Sequence, residues 1–135
     1  MAIRFLACMA LVAHLYALPP RVLPSIQHVE GGDAGVIRPD ANGTEDLGVM
    51  QVNTIWLHPL AVYSGFPENV VYRRLVEDPC FNIAASGAIL RTYLNEAHGD
   101  LMKAVGYYHS HTAVLSEEYV QQVLRAARQL FQDSQ

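Results

Sequence analysis

The chain has 135 residues, enough for one domain with a proper hydrophobic core. It is 51% apolar and 16% charged, a globular composition, and its net charge of −4 excludes the basic footprint of a nucleic-acid binder. No like-charge run, internal repeat or low-complexity stretch divides residues 1–135 into more than one unit.

In chain order, residues 1–17 admit two readings. Arg4 followed by the apolar run Phe5–Ala13 has the look of a short signal peptide. Against that, Leu15-Tyr16-Ala17 lacks a small residue at the −3 position, and His14 interrupts the apolar run. The run is too short to span a bilayer, so no transmembrane segment is expected. The rival reading is a first core helix, because Phe5, Met9, Val12 and Tyr16 fall at helical spacing.

Pro19-Pro20 ends this segment and opens a second helix, with Pro20 at an early helical position. Leu23, Ile26 and Glu30 then share one face, so Glu30 points where the apolar side chains point. Gly31 supplies the C-terminal stop. A carboxyl packed among apolar neighbours has its charged form disfavoured, and the negative end of a helix dipole pushes the same way. Such an acid keeps its proton near neutral pH and is suited to give it to a leaving oxygen.

Residues 33–53 carry the turn formers Gly35, Pro39-Asp40 and Asn42-Gly43. Asn-Gly is a hairpin signal. The flanks Val36-Ile37 and Leu47-Gly48-Val49 fit short strands, which predicts a sheet of two or three strands. Asn53 or Thr54 caps a helix through Trp56, Leu57 and Leu60. Another helix follows Pro67 and runs from Val70 to Val76. The longest starts at Asp78-Pro79 and carries Ile83, Ala84, Gly87, Leu90, Leu94 and Ala97. Its Ala84-Ala85-Ser86-Gly87-Ala88 stretch is suited to the close approach of neighbours in a central helix. Asp100 caps a short helix to Tyr108, and a final amphipathic helix runs from Ser116 to Phe131. The expected class is α+β, mostly helical, with one small sheet set between helices.

Each residue with chemistry also has a plainer role. Most glutamates are solvated, but Glu30 sits on an apolar face. Asp46 braces a hairpin in the plain reading. Gln51 and Asn53 hold the turn from sheet to helix. Met50 is core, and Trp56 is core or cleft wall. Tyr107 and Tyr108 point in different directions on a helix, which assigns one of them to the core. His109 and His111, two apart, do not share a helix face and have no third ligand at zinc-like spacing, so no metal site is read. Ser64, Ser86 and Ser110 lack the context of a nucleophile elbow. Cys8 and Cys80 are either small buried hydrophobes or one long-range disulfide, and the second would imply an oxidising compartment.

Four segments together resemble a family. These are Val29-Glu30-Gly31-Gly32; Asn42-Gly43-Thr44-Glu45-Asp46-Leu47-Gly48-Val49-Met50-Gln51-Val52-Asn53 followed by Trp56-Leu57; Asp78-Pro79-Cys80-Phe81-Asn82-Ile83; and Ala104-Val105-Gly106-Tyr107-Tyr108-His109-Ser110-His111-Thr112. In this order they resemble the lysozyme-like lytic transglycosylases of the SLT-domain type. The resemblance is to the small members that accompany type IV secretion, conjugation, pilus and type III secretion machines, and it extends from about Cys8 to the last helix. Any one segment alone would be weak.

The resemblance implies a lysozyme-like fold with the sheet lining a cleft. It implies cleavage of the β-1,4 bond between N-acetylmuramic acid and N-acetylglucosamine with a 1,6-anhydromuramoyl product. It requires no cofactor, and the partners would be peptidoglycan strands and an envelope-spanning machine. Glu30 matches the single acid/base. Gly48, Met50, Gln51 and Asn53 match the substrate-lining segment, and Tyr108 and His109 fall in the motif beside the acid. Cys8 and Cys80 match a disulfide between the first and central helices, which favours a first helix at residues 1–17 and a periplasmic or cell-envelope location. Cleavage after Ala17 would remove Cys8.

Two positions depart from the pattern: the residue after the acid is Gly31 where the family has Ser, and His109 replaces an Asn. Asp46 falls where c-type lysozymes carry a second carboxylate. The alternative functions are therefore a muramidase that uses Asp46 with water, and a weakly active peptidoglycan-binding assembly module.

Overall fold

The computed structural model describes residues 3–132. Among these residues are seven α-helices and one three-stranded antiparallel sheet, so the mostly helical α+β class is as the sequence predicts.

Helix α1 (Leu6–Leu15) buries Met9, Val12 and Ala13. Helix α2 (Val22–Glu30) starts after Pro20, which lies in the preceding turn and not in the helix. Pro24 stands in the first turn instead, where a missing N–H costs nothing because helix-start donors have no intrahelical partner. Val22, Leu23, Ser25 and Ile26 are buried. Glu30 ends the helix as predicted. Gly31 closes it in the left-handed conformation (φ +64°), with its N–H donating to the Gln27 carbonyl at 2.8 Å.

The sheet runs β1 (Ile37–Pro39), β2 (Glu45–Leu47), β3 (Val52–Asn53) in that spatial order. Arg38 faces Asp46 across β1 and β2, and Asp46 faces Asn53 across β2 and β3. Asn42-Gly43 does not form a two-residue hairpin turn. It lies in a longer loop closed by Asp40 N–H to the Thr44 carbonyl at 2.8 Å. The predicted strand Leu47-Gly48-Val49 also ends early, at Leu47. Gly48 takes φ +72°, and a Cβ there would collide with the Leu75 carbonyl, so the chain turns away and drives Val49 and Met50 into the core.

A 3₁₀ turn (Thr54–Trp56) leads into α3 (Leu57–Ser64). Asn53 caps the turn by accepting from Ile55 N–H at 2.9 Å. Helix α4 (Glu68–Glu77) begins directly after Pro67. Helix α5 (Pro79–Glu96) is capped by Asp78, whose carboxylate accepts from Phe81 N–H at 3.0 Å, with Pro79 in the first turn. It is buried on several faces and forms the central helix. Asp100 caps α6 (Leu101–His109) by accepting from Lys103 N–H at 3.1 Å. Helix α7 runs Ala113–Phe131, starting three residues before the predicted Ser116, whose N–H donates to the Thr112 carbonyl at 2.8 Å.

Two features fix the cleft. The Cys8–Cys80 disulfide ties α1 to the start of α5 with 5.6 Å between the Cα atoms. Asn82, fully buried on α5, donates to the carbonyls of Leu47 and Leu75, both at 2.8 Å, and accepts from Met50 N–H at 2.8 Å. One side chain thus holds the turn that follows β2 against the helical body. Helix α7 packs on both α6 and α2 and brings its inner face to the end of the helix that carries Glu30.

Candidate active site

A cleft of about 520 Å³ opens between the sheet and the helical body. Glu30, Asp46, Gln51, Asn53, Tyr108 and His109 line it, all of them residues singled out from the sequence. Gly48 and Met50 lie behind its wall. Met50 is fully buried, and its carbonyl accepts from the Tyr108 hydroxyl at 2.9 Å.

Glu30 is shielded by the packing of α2 against α7. Its carboxylate accepts a hydrogen bond from the Tyr119 hydroxyl at 2.6 Å, and it has no ion pair among the described residues. Burial raises its pKa to about 7 from an ordinary 4.5. The Tyr119 hydrogen bond and the charge of Arg38 lower it, while the Asp46 and Asp40 carboxylates raise it further. The outcome is an acid poised between its two states near neutral pH, the condition in which one group both gives and takes a proton.

Gly31 places no side chain beside this acid. The polar contact comes instead from Tyr119, 89 positions away on α7 and only 3% exposed. The ring of His109 stacks on Tyr119 with 4.9 Å between centroids and 9° between planes. The sequence reading missed Tyr119 because it stands on the apolar face of an amphipathic helix, where a tyrosine reads as core.

Asp46 is held in a different way. Asn53 Nδ2 lies within 3.0 Å of Asp46 Oδ1, Asp40 Oδ2 and Thr44 Oγ1. Asp46 thus shares a braced hairpin with a second carboxylate. Burial is the largest influence raising its pKa, Asn53 works against it, and Asp40 adds to it. Asn53 fills both roles expected of it, lining the cleft and capping the 3₁₀ turn.

Gln51 carries a left-handed backbone (φ +54°), uncommon for a residue with a Cβ. The conformation is held by its own Nε2, which donates to the Gly48 carbonyl at 2.9 Å. The cost of such a backbone is of the size met at functional sites.

The far end of the cleft is aromatic. Trp56 meets Tyr93 edge to face at 5.7 Å, Tyr93 meets Tyr107 at 6.1 Å, and His111 stacks on Tyr107 at 4.1 Å. Tyr107 therefore lines the cleft together with Tyr108, against the expectation that one of the pair is core. Both are half-buried, since α6 presents its edge to the opening. Rings of this kind offer flat apolar surface beside polar tips, suited to sugar faces. Asp40, Tyr93 and Ile89 also line the cleft without having been singled out. Asp40 read only as a turn former, and Ile89 and Tyr93 fall inside the predicted central helix without a reading of their own.

No protein-family model matches the chain, and no curated protein matches it.

Proposed function

We propose that the protein is a lysozyme-like lytic transglycosylase that cleaves peptidoglycan between N-acetylmuramic acid and N-acetylglucosamine. The observation that carries this reading is Glu30: a carboxyl poised near neutral pH, bonded by one buried tyrosine, at the wall of a cleft large enough for sugar rings. The order of the four sequence segments supports the same reading.

In the reaction, protonated Glu30 gives its proton to the glycosidic oxygen as the bond from that oxygen to the muramoyl C1 breaks. The muramoyl C6 hydroxyl oxygen then bonds to C1, and its proton passes to the Glu30 carboxylate. The sugar leaves as a 1,6-anhydro ring, no water is consumed, and the acid is regenerated. Burial raises the pKa for the first step, and Tyr119 holds the ionised carboxylate for the second.

Asp46 lines the same cleft, and in this reading it braces the hairpin and does not attack C1. A retaining muramidase needs a second carboxylate free to meet C1, roughly 5 Å from the first. Asp46 is instead occupied with Asn53 and crowded by Asp40. The disulfide fits an extracytoplasmic, oxidising location, and among the described residues no helix is long and apolar enough to cross a membrane. In such a location the enzyme would open the wall locally for an envelope-spanning secretion, conjugation or pilus machine.

The test is turnover of purified peptidoglycan by the wild-type chain and by Glu30→Gln. The variant should keep the fold, seen by circular dichroism, and lose cleavage. Undiminished clearing by the folded variant would remove Glu30 from the chemistry.

A further inference from the structure

The last carbonyls of a helix have no partner inside it. At the end of α2 the carbonyls of Glu30 and Gly31 are both taken by one side chain from another element. Arg38 on β1 donates from Nη1 to the Glu30 carbonyl at 2.7 Å and from Nη2 to the Gly31 carbonyl at 3.1 Å. Nη1 also reaches Gln51 Oε1 at 3.4 Å. One guanidinium therefore joins the end of the acid-bearing helix, the sheet and the strained Gln51 turn. Arg38 does not line the cleft and has no ion pair among the described residues, so neither substrate contact nor charge pairing accounts for this fork.

The chemistry suits arginine. Its planar fork presents two donors at a fixed spacing, which matches two successive carbonyls. A lysine ammonium is a point charge on a flexible stem. A cation at a helix C-terminus also neutralises the negative end of the dipole, which lies beside the Glu30 carboxyl.

We propose that Arg38 is a positioning residue for Glu30, locking the end of α2 to the cleft sheet and fixing the direction from which the carboxyl meets a glycosidic oxygen. The proposal rests on the reading of Glu30 as the acid and adds a residue that acts only through it. The groups facing Glu30 are Tyr119 from α7, Tyr108 from α6, Asp46 from β2, Asp40 from the hairpin loop and Arg38 from β1. His109 faces Asp46 and stacks on Tyr119. Of those acting on Glu30 itself, Tyr119 and Arg38 favour the ionised carboxyl, while Asp46 and Asp40 oppose it.

The experiment compares the full chain with Arg38→Met and Arg38→Lys. One readout is the titration of the Glu30 carboxyl by carbon-13 NMR, which needs no turnover. The other is kcat and KM on peptidoglycan strands across pH. Arg38→Met should move the Glu30 titration up by roughly half a pH unit, since a cation and two carbonyl partners are lost. Its kcat should fall about ten-fold with KM little changed, as expected when a reacting group is displaced. Arg38→Lys keeps the charge without the fork, so it should restore the titration and recover only part of kcat.

A Glu30 titration and a kcat that both match wild type in the two variants would overturn the proposal, as would a loss confined to KM. A wild-type chain without turnover would sink the reading of Glu30 as the acid, while an active wild type with a full kcat in Arg38→Lys would sink the clamp alone.

Discussion

The Tyr119 hydroxyl donates to Glu30 Oε2 at 2.6 Å, joining the last helix to the end of the second across 89 positions of sequence. This contact does for the acid what no side chain at Gly31 can do. It stabilises the ionised carboxylate and holds the acid in one orientation.

Tyr119→Phe should therefore keep the packing and the stack on His109 while removing that donor. A hydrogen bond to a charged group contributes about 1.5–3 kcal/mol, so kcat should fall at least ten-fold. The ionised form loses its partner, so the alkaline limb of the pH–rate profile, set by Glu30 at about 7, should move upward. A profile unchanged in both height and position would show that Tyr119 is only core.

Glu30 should also lower stability at high pH. Its folded pKa of about 7 lies above the ordinary 4.5, so the folded state binds the extra proton. Below about pH 4.5 both folded and unfolded states are protonated and there is no penalty. The penalty grows as pH rises through the window from 4.5 to 7 and is complete above it. Glu30→Gln removes the ionisation, so its advantage over wild type should rise from near zero at pH 4 to on the order of 3 kcal/mol at pH 8. Calorimetric melting at the two pH values measures this. An equal gap at both would contradict the buried, raised carboxyl.

Asn82→Leu tests the strut between sheet and body. The substitution leaves the Met50 N–H and the Leu47 and Leu75 carbonyls without their partner. Each buried group left unsatisfied costs about 1–3 kcal/mol, so denaturant unfolding should show a loss of about 3 kcal/mol or more. A loss under about 1 kcal/mol would mean that the turn after β2 is held by other contacts.

The local part of this architecture was legible in the sequence. Asp78-Pro79 and Asp100 mark helix starts by capping chemistry, Glu30-Gly31 marks a helix end, and the spacing of Leu23, Ile26 and Glu30 turns the acid inward. The cysteine pair followed only from the resemblance, and the bridge is present. What stayed hidden depends on packing between distant elements. Tyr119 reads as core until α7 is laid on α2, and Arg38 reads as a solvated strand residue until β1 is placed beside the end of α2. Leu47-Gly48-Val49 has strand composition, yet the closeness of the Leu75 carbonyl at Gly48 decides otherwise. Asn82 lies within a legible segment, but its three backbone partners come from elements far apart in sequence.

In the proposed reaction Glu30 works alone, as acid and then as base, and Asp46 is a brace. Mass spectrometry of muropeptides released from peptidoglycan by the wild-type chain, Glu30→Gln and Asp46→Asn tests it most directly. The wild type should release 1,6-anhydro ends, Asp46→Asn the same ends at a rate within about ten-fold, and Glu30→Gln no product. Reducing N-acetylmuramic acid ends from the wild type, abolished equally by Asp46→Asn, would contradict it and make the enzyme a muramidase.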